Sequence, residues 1–487
     1  MSCPEHAALR ASAARDATAN RSSLSAEVIE TRTYRGYWWL PESETKKLSG
    51  TLTITKGDAK LELLGHFGYH LISETETEKV YSLSLEEQPR ILGVSTDGNA
   101  ITLEGHQFAS TTENFPGIPT SSYVREVALI GAHFAVDEEI SFDEISIRGS
   151  DLNTWTEVSG FSTHVGMEKH KEKDYLIVSN VDISFEAPDD IEIPLAGGER
   201  AFIRFNAPSK GIGPRTDHVG LHQEAALHLR FTKRASLDQV FERVGHIRNF
   251  LSLAVGRPVA ILSVTGYQDD FVREKSETRI PIDLLWEIPL NPDPPTRRRE
   301  TWQMLFTLPG VKADISRAMR AWFAKQARLK PVFNLFFGSR YHPDLYVEVR
   351  FLLHAQALET YDYRRRRKPG KNTLVQRIGD VLDECKTVSK RIVGSTPAER
   401  EAFIEAVRDA RNYYTHYNPK LEKKVARGAA LLLLLVQMQA IIEMSLLREL
   451  GFPARAINEI LERVRRYEEI EHFKTLVAEE QVGGRSP

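Results

Sequence analysis

Between about Arg35 and Leu285, apolar residues alternate with polar ones over short runs separated by turn residues, the period-two pattern of strands with one buried face. Leu52 and Ile54 alternate with threonines, Gly57-Asp58 supplies a turn, and Leu61 and Leu63 resume the alternation, which predicts a hairpin. Ile91, Val94, Ile101 and Leu103 flank Asp97-Gly98-Asn99 in the same way. Further strands are expected over 123–130, 140–147, 175–183, 201–205, 226–231 and 259–264, and so many short strands point to a β-rich, sandwich-like domain. One helix interrupts them from Ser236 to Ala254, with Ser236 as its N-cap and Val240, Val244, Ile247 and Leu251 at helical spacing.

The period then changes. Asn291-Pro292-Asp293-Pro294-Pro295, followed by Arg297-Arg298-Arg299, reads as a linker. Beyond it, helical spacing runs over 311–329, 345–363, 373–392, 397–414, 421–450 and 453–467. Thr396-Pro397-Ala398-Glu399 is a helix start, and Gly451-Phe452-Pro453 a stop and restart. The expected architecture is α+β and multidomain: a disordered tail over 1–25, a β-rich domain over 26–290, a linker and connecting helix over 291–344, an all-α helical bundle over 345–470 and a C-terminal tail over 471–487.

Composition narrows the class. Hydrophobic residues make up 41% of the 487 and charged residues 27%, as in a soluble globular protein. The longest apolar stretch, Ala429 to Val436, falls short of the roughly 20 residues that span a bilayer and reads as a buried helix, so no membrane partner is expected. Residues 1–25 lack the apolar centre of a secretory signal. Cys3 and Cys385 are the only cysteines, which excludes a disulfide framework and a Cys-rich zinc site and makes the cytoplasm the expected compartment. His218 and His222 beside Asp217 have metal-ligand spacing only if helical, and they fall in a strand and loop region, so no metal or cofactor is expected.

The formal net charge of −3 is unevenly spread: Val311 to Lys371 holds fourteen Lys or Arg against five acids, densest at Arg364, Arg365, Arg366, Arg367 and Lys368. This is either a footprint for a phosphate backbone or a solvated loop.

Candidate chemistry lies at the end of the 397–414 helix, in Arg411-Asn412-Tyr413-Tyr414-Thr415-His416. At about 100° per residue, Asn412 and His416 share a face while Arg411 and His416 diverge by roughly 140°, so that Arg and His flank a cleft. A histidine transfers protons near neutral pH, an arginine matches phosphate oxygens with a fixed charged fork, and Asn412 orients the histidine or binds the phosphate. One helix end supplies a single Arg and a single His, so two facing copies make a fuller site, and a symmetric dimer is expected. By spacing alone the pair is about what chance provides, and the plain alternative is a surface arginine and a helix-capping histidine. Tyr413, Tyr414 and Tyr417 either stack on bases or, as tyrosines more often do, pack the bundle.

The segment resembles the R-x-x-x-x-H signature of the HEPN superfamily. Phe351 to Glu359 looks like the first helix of the ApeA-like HEPN family, with the Glu of its Ala-Leu-Glu core at Glu359, and Ile441 to Phe452 is similar to the last long helix. Upstream, Gly36 to Pro41 with Leu48 to Leu52, and Leu152-Asn153-Thr154-Trp155, resemble the ApeA N-terminal domain. The resemblance covers about residues 26 to 470. It implies anti-phage defence, in the manner of abortive infection, by a homodimeric endoribonuclease that cuts RNA, tRNA above all, without a metal and leaves a 2′,3′-cyclic phosphate. Arg411, Asn412 and His416 would be catalytic, Glu359 a buried partner that fixes Arg411, and a phage-derived trigger would activate. The competing expectation is a non-catalytic dimeric scaffold whose β-rich half recognises a phage or host ligand. Glycan binding by that half is a third.

Overall fold

The computed structural model describes residues 31–483, apart from 57, 68, 75–78, 84–89, 106, 113–116, 171–174, 207–221, 274–275, 312–313, 367–371 and 424. The expected N-terminal tail, Cys3, Asp217, His218, Arg367 and Lys368 lie outside the described residues.

The N-terminal half is β-rich and antiparallel throughout. Its first strands are β1 (Arg32–Trp39), β2 (Leu48–Thr55), β3 (Asp58–Leu64), β4 (Tyr69–Glu74), β5 (Lys79–Leu83), β6 (Arg90–Ser95), β7 (Ala100–Glu104), β8 (Gln107–Thr112), β9 (Thr120–Arg125) and β10 (Val127–Ile130). There follow β11 (Ser141–Gly149), the short helix α1 (Leu152–Thr156), β12 (Phe161–Lys169), β13 (Leu176–Phe185), β14 (Ile191–Pro194), β15 (Arg200–Asn206) and β16 (Glu224–Ser236). Helix α2 (Leu237–Val255), β17 (Ile261–Tyr267) and β18 (Ile282–Trp286) complete it.

The layers expected of a sandwich are one hydrogen-bonded sheet of fourteen strands, in the order β14-β15-β16-β11-β17-β18-β10-β7-β6-β1-β2-β3-β9-β8. The sheet rolls up, because β3 comes back alongside β10 and β18. The roll encloses a core of Trp38, Leu52, Leu61, Leu63, Ile91, Ile101 and Leu103, the inward residues of the two expected hairpins.

Strand β10 shows why 123–130 is two strands and not one. All four residues of Val127-Ala128-Leu129-Ile130 are buried. Ala128 and Ile130 face the roll, and Val127 and Leu129 face a second core on the other side. A strand buried on both faces carries a continuous apolar run. Helix α2 covers the far part of the sheet. Ser236 caps it in a reciprocal capping box with Gln239, and Gly256, at φ 75°, ends it.

The C-terminal half is helical: α3 (Leu308–Val311), α4 (Ile315–Ala324), α5 (Gln326–Tyr341), α6 (Val347–Arg365), α7 (Leu374–Glu384), α8 (Lys386–Val393), α9 (Pro397–His416), α10 (Gly428–Glu449), α11 (Ala454–Arg463) and α12 (Arg466–Gly483). The expected 373–392 helix is broken at Cys385, and α12 runs on through residues 471–483, where a tail was expected. Helix α10, apolar enough along its length to cross a membrane, lies in the bundle against α6 and α12. Its Glu443, with no exposed surface, accepts two hydrogen bonds of 2.9 Å from Arg466.

The two halves share their core. One apolar cluster runs from Val127 of β10 to Ile470 of α12. Aromatic rings carry it across: Trp155 to Phe250 (6.2 Å), Phe250 to Phe306 (5.8 Å), Phe250 to Trp322 (5.7 Å), Trp322 to Phe333 (4.4 Å) and Phe306 to Phe452 (5.3 Å). The proline-rich connector after β18 carries no regular structure and is tied to β17 by Asn291, whose side chain accepts the Ile261 N–H and donates to the Ile261 carbonyl, each at 2.9 Å.

Candidate active site at the end of helix α9

Helix α9 begins as its sequence requires. The Thr396 hydroxyl accepts the Glu399 N–H and the Glu399 carboxylate accepts the Thr396 N–H, with Pro397 in the first turn. Those hydrogen bonds hold the Glu399 carboxyl below its usual range. Phe403, Ile404, Val407 and Ala410 bury one face, and the helix packs on α6, α7 and α8.

Its other end is unusual. Tyr417 takes a left-handed backbone, φ 46° and ψ 42°, and its N–H returns to the Tyr413 carbonyl. The chain then leaves through Asn418, whose side chain accepts the Lys420 N–H, and Pro419. A non-glycine residue in this conformation is strained. Edge-on ring contacts of Tyr417 with Tyr413 (5.5 Å) and Tyr414 (6.4 Å) oppose the strain. Tyr413 and Tyr414 are buried in the bundle, Tyr414 against Phe351 and bonded to the Ala426 carbonyl. Tyr417 is 64% exposed.

The structure places Arg411, Asn412 and His416 on these last turns. Arg411 and Asn412 are half-buried and His416 is exposed. The Arg411 guanidinium lies 3.8 Å from the Glu359 carboxylate of α6 and 3.5 Å from the Asn412 carbonyl oxygen. The expected partner of Arg411 is therefore in place but is not buried: the two side chains are 39% and 34% exposed. An ion pair this long and this wet orients the guanidinium loosely and adds little stability. No described residue hydrogen-bonds the His416 side chain. The arrangement presents a cation held from one side and an exposed imidazole on one helix end.

The basic stretch divides. Arg365 and Arg366 pair with Asp362, which has no exposed side-chain surface, Arg366 also with Asp380, and Arg365 also with Glu384. Arg377 joins them on Asp362 at 3.4 Å. Lys325 and Arg328 pair with Glu449, Lys330 with Glu242 and Arg340 with Glu443, so much of the positive excess is neutralised from elsewhere in the chain. Arg364 is exposed. Asp362 is the residue that sequence reasoning missed. An acid three and four places before two arginines was its signal. His222 is exposed, and among the described residues no His, Cys, Asp or Glu group is arranged to hold a metal.

Two features of the β-rich half bear on function. On the outer face of the roll, a groove of about 910 Å³ is lined by Arg35, Tyr37, Thr51, Lys60, Leu64 and Ser122 among others. Farther along the sheet, Ser146, His228 and Glu144 line up at 3.2 and 2.8 Å. All three are buried, with the guanidiniums of Arg204, Arg279 and Arg230 also on Glu144 at 2.6, 2.9 and 3.6 Å, so this row is a tie between β11, β15 and β16. Burial raises the Glu144 carboxyl, but hydrogen bonds from His228 and Arg279 and the charges around it hold it at about 2.

Residues 33–322 match the family model described as ApeA N-terminal domain 1, and residues 352–456 match the one described as Apea-like HEPN. No curated protein and no solved structure matches the chain.

Proposed function

The chain belongs to the ApeA-type family of anti-phage HEPN nucleases, and from that premise we propose an endoribonuclease that cuts RNA, tRNA in particular, at a site completed by two copies of the α9 end. The observation that carries this reading is the placement of Arg411, Asn412 and His416 on one solvent-facing helix end, with Glu359 behind the arginine.

In this mechanism the His416 imidazole of one copy takes the proton from a ribose 2′-hydroxyl as that oxygen attacks the adjacent phosphorus. The 5′-oxygen bond breaks, and the His416 of the second copy supplies the proton that the leaving oxygen needs. Arg411 of each copy holds the non-bridging oxygens, whose charge grows in the transition state. The products are a 2′,3′-cyclic phosphate and a 5′-hydroxyl, and no step calls on a metal. Arg364 extends the positive surface along which RNA lies.

Purified His416→Ala and Arg411→Ala are each expected to lose cleavage of tRNA by at least about 100-fold, with melting temperatures near the parent's. Unchanged cleavage in either variant defeats the assignment of that residue. Cleavage is expected to survive a chelator, and a strict divalent-cation requirement overturns the mechanism.

The groove on the roll favours a second role for the β-rich half, recognition of a phage-derived or host ligand. Tyr37→Ala in the groove is expected to leave basal cleavage unchanged while abolishing activation in cells under phage challenge. Undiminished protection by that variant removes the groove from the account.

A further inference from the structure

Strands β12 and β13 form a two-stranded ribbon outside the main sheet. It is rooted by Gln223, which accepts the Gly160 N–H (2.7 Å) and donates to the Val158 carbonyl (2.8 Å), and by the Phe161 and Phe185 rings, 4.8 Å apart. Beyond the root the register sorts its residues by face. Val165 stands opposite Val181, Thr163 opposite Ile183 and Met167 opposite Val178, with Leu176 at the far end. The reverse face is polar apart from Ile177, opposite Glu168: Ser162 bonds Ser184 at 2.7 Å, His164 stands opposite Asp182, and Asn180 donates to Asp182 at 3.0 Å. The ribbon is thus amphipathic, yet Val165, Met167, Leu176, Val178, Val181 and Ile183 are 42–62% exposed. No described residue covers them. A lone two-stranded ribbon is marginal in water, and an aliphatic face on it is uncompensated until another surface packs there.

We propose that this face packs against the same face of a second copy, making a four-stranded two-layer sandwich across a two-fold axis. The proposal rests on the dimeric reading of the nuclease site. Three features select a second copy. The six aliphatic positions carry no charge, and the one charged residue of their face, Lys169 opposite Leu176, lies at its far end, so they complement another apolar surface. Val, Ile, Met and Leu of similar size occupy both strands, and a two-fold contact requires such self-complementarity. The size also fits an accessory contact. About nine residues at roughly 3.3 Å each give a face near 30 Å long and 10 Å wide, or about 300 Å² per copy. Two copies bury about 600 Å², well under the roughly 1,600 Å² of a standard interface. The ribbon therefore strengthens a dimer whose remaining contact lies elsewhere on the chain.

The test is sedimentation of the full chain and of the double variant Val165→Glu, Val181→Glu, together with tRNA cleavage by each. Both positions are exposed, so the variant is expected to keep the parent's melting temperature. Four carboxylates brought together at the axis are expected to raise the dimer dissociation constant at least about 100-fold. An unchanged constant, or a parent that stays monomeric, overturns the ribbon contact. A variant that is monomeric yet cuts at the parent's rate supports the ribbon and defeats the two-copy site. As a second measurement, Val181→Cys in a Cys3→Ser background, with Cys385 buried, is expected to give a disulfide-linked dimer under mild oxidation. Failure to cross-link at concentrations where the parent is dimeric counts against face-to-face packing.

Discussion

Tyr417 shows how one residue shapes the site. Its left-handed backbone turns the chain immediately after His416 and keeps the imidazole at a terminated helix end. Glycine adopts this conformation freely and a β-branched residue resists it. Tyr417→Gly is expected to stay within about 1 kcal/mol of the parent, whereas Tyr417→Val costs about 1–2 kcal/mol and slows cleavage, as read from urea midpoints and initial rates. Glu144 sets a different limit. Its carboxyl titrates at about 2 in the folded chain and near its ordinary value of about 4.5 when unfolded, so the folded state binds fewer protons between those values. Its contribution is complete above about pH 4.5 and is lost as the pH falls towards 2. The shift corresponds to about 3 kcal/mol, and Glu144→Gln is expected to flatten the acid limb of stability between pH 5 and 2. His246 and His354, which burial holds neutral down to about 3 and about 4, steepen that limb from pH 6.5 downwards and remain in the variant.

Among the elements, those defined by neighbouring residues were legible in the sequence. Ser236 with Gln239 and Thr396 with Glu399 mark their helix starts within four residues, and the β2–β3 and β6–β7 hairpins follow from alternation around a turn. What was hidden depends on distant partners. Nothing local says that β1 lies between β2 and β6, or that β11 lies between β16 and β17. The site divides in the same way. Arg411, Asn412 and His416 sit on one helix and their spacing fixes their relation. Arg365 and Arg366 pair with acids, Asp362 for both and Asp380 for Arg366, which leaves Arg364 as the exposed arginine among the described residues of what looked like an open basic run. Helix α10 carries a fully buried carboxylate. Burial opposes the charge on Glu443, but Arg466 and Arg340 hold its carboxyl below the usual range. Glu443→Gln removes the carboxylate that faces both Arg340 and Arg466, leaving Arg466 with Glu469 and Arg340 with the Gly256 carbonyl, and is expected to cost about 3 kcal/mol, visible as a large fall in melting temperature. A fall of only a degree or two contradicts that account.

At the scale of the whole molecule, the continuous core makes the β-rich and helical halves one mechanical body. Calorimetry is expected to show a single endotherm, and Phe306→Ala, at the crossing point between Phe250 and Phe452, to shift it down while costing about 3–5 kcal/mol of stability. Two well-separated endotherms are incompatible with a shared core. The pairing of Glu443 also orders events during synthesis. A growing chain makes α9, with Arg411 and His416, before α10 brings Glu443, and Glu443 before α12 brings Arg466. Until α12 is made, Glu443 has Arg340 of α5 beside it but not Arg466. The last helix thus completes the charge pairing at the centre of the bundle, and a chain cut short before α12 is expected to melt well below the full-length protein.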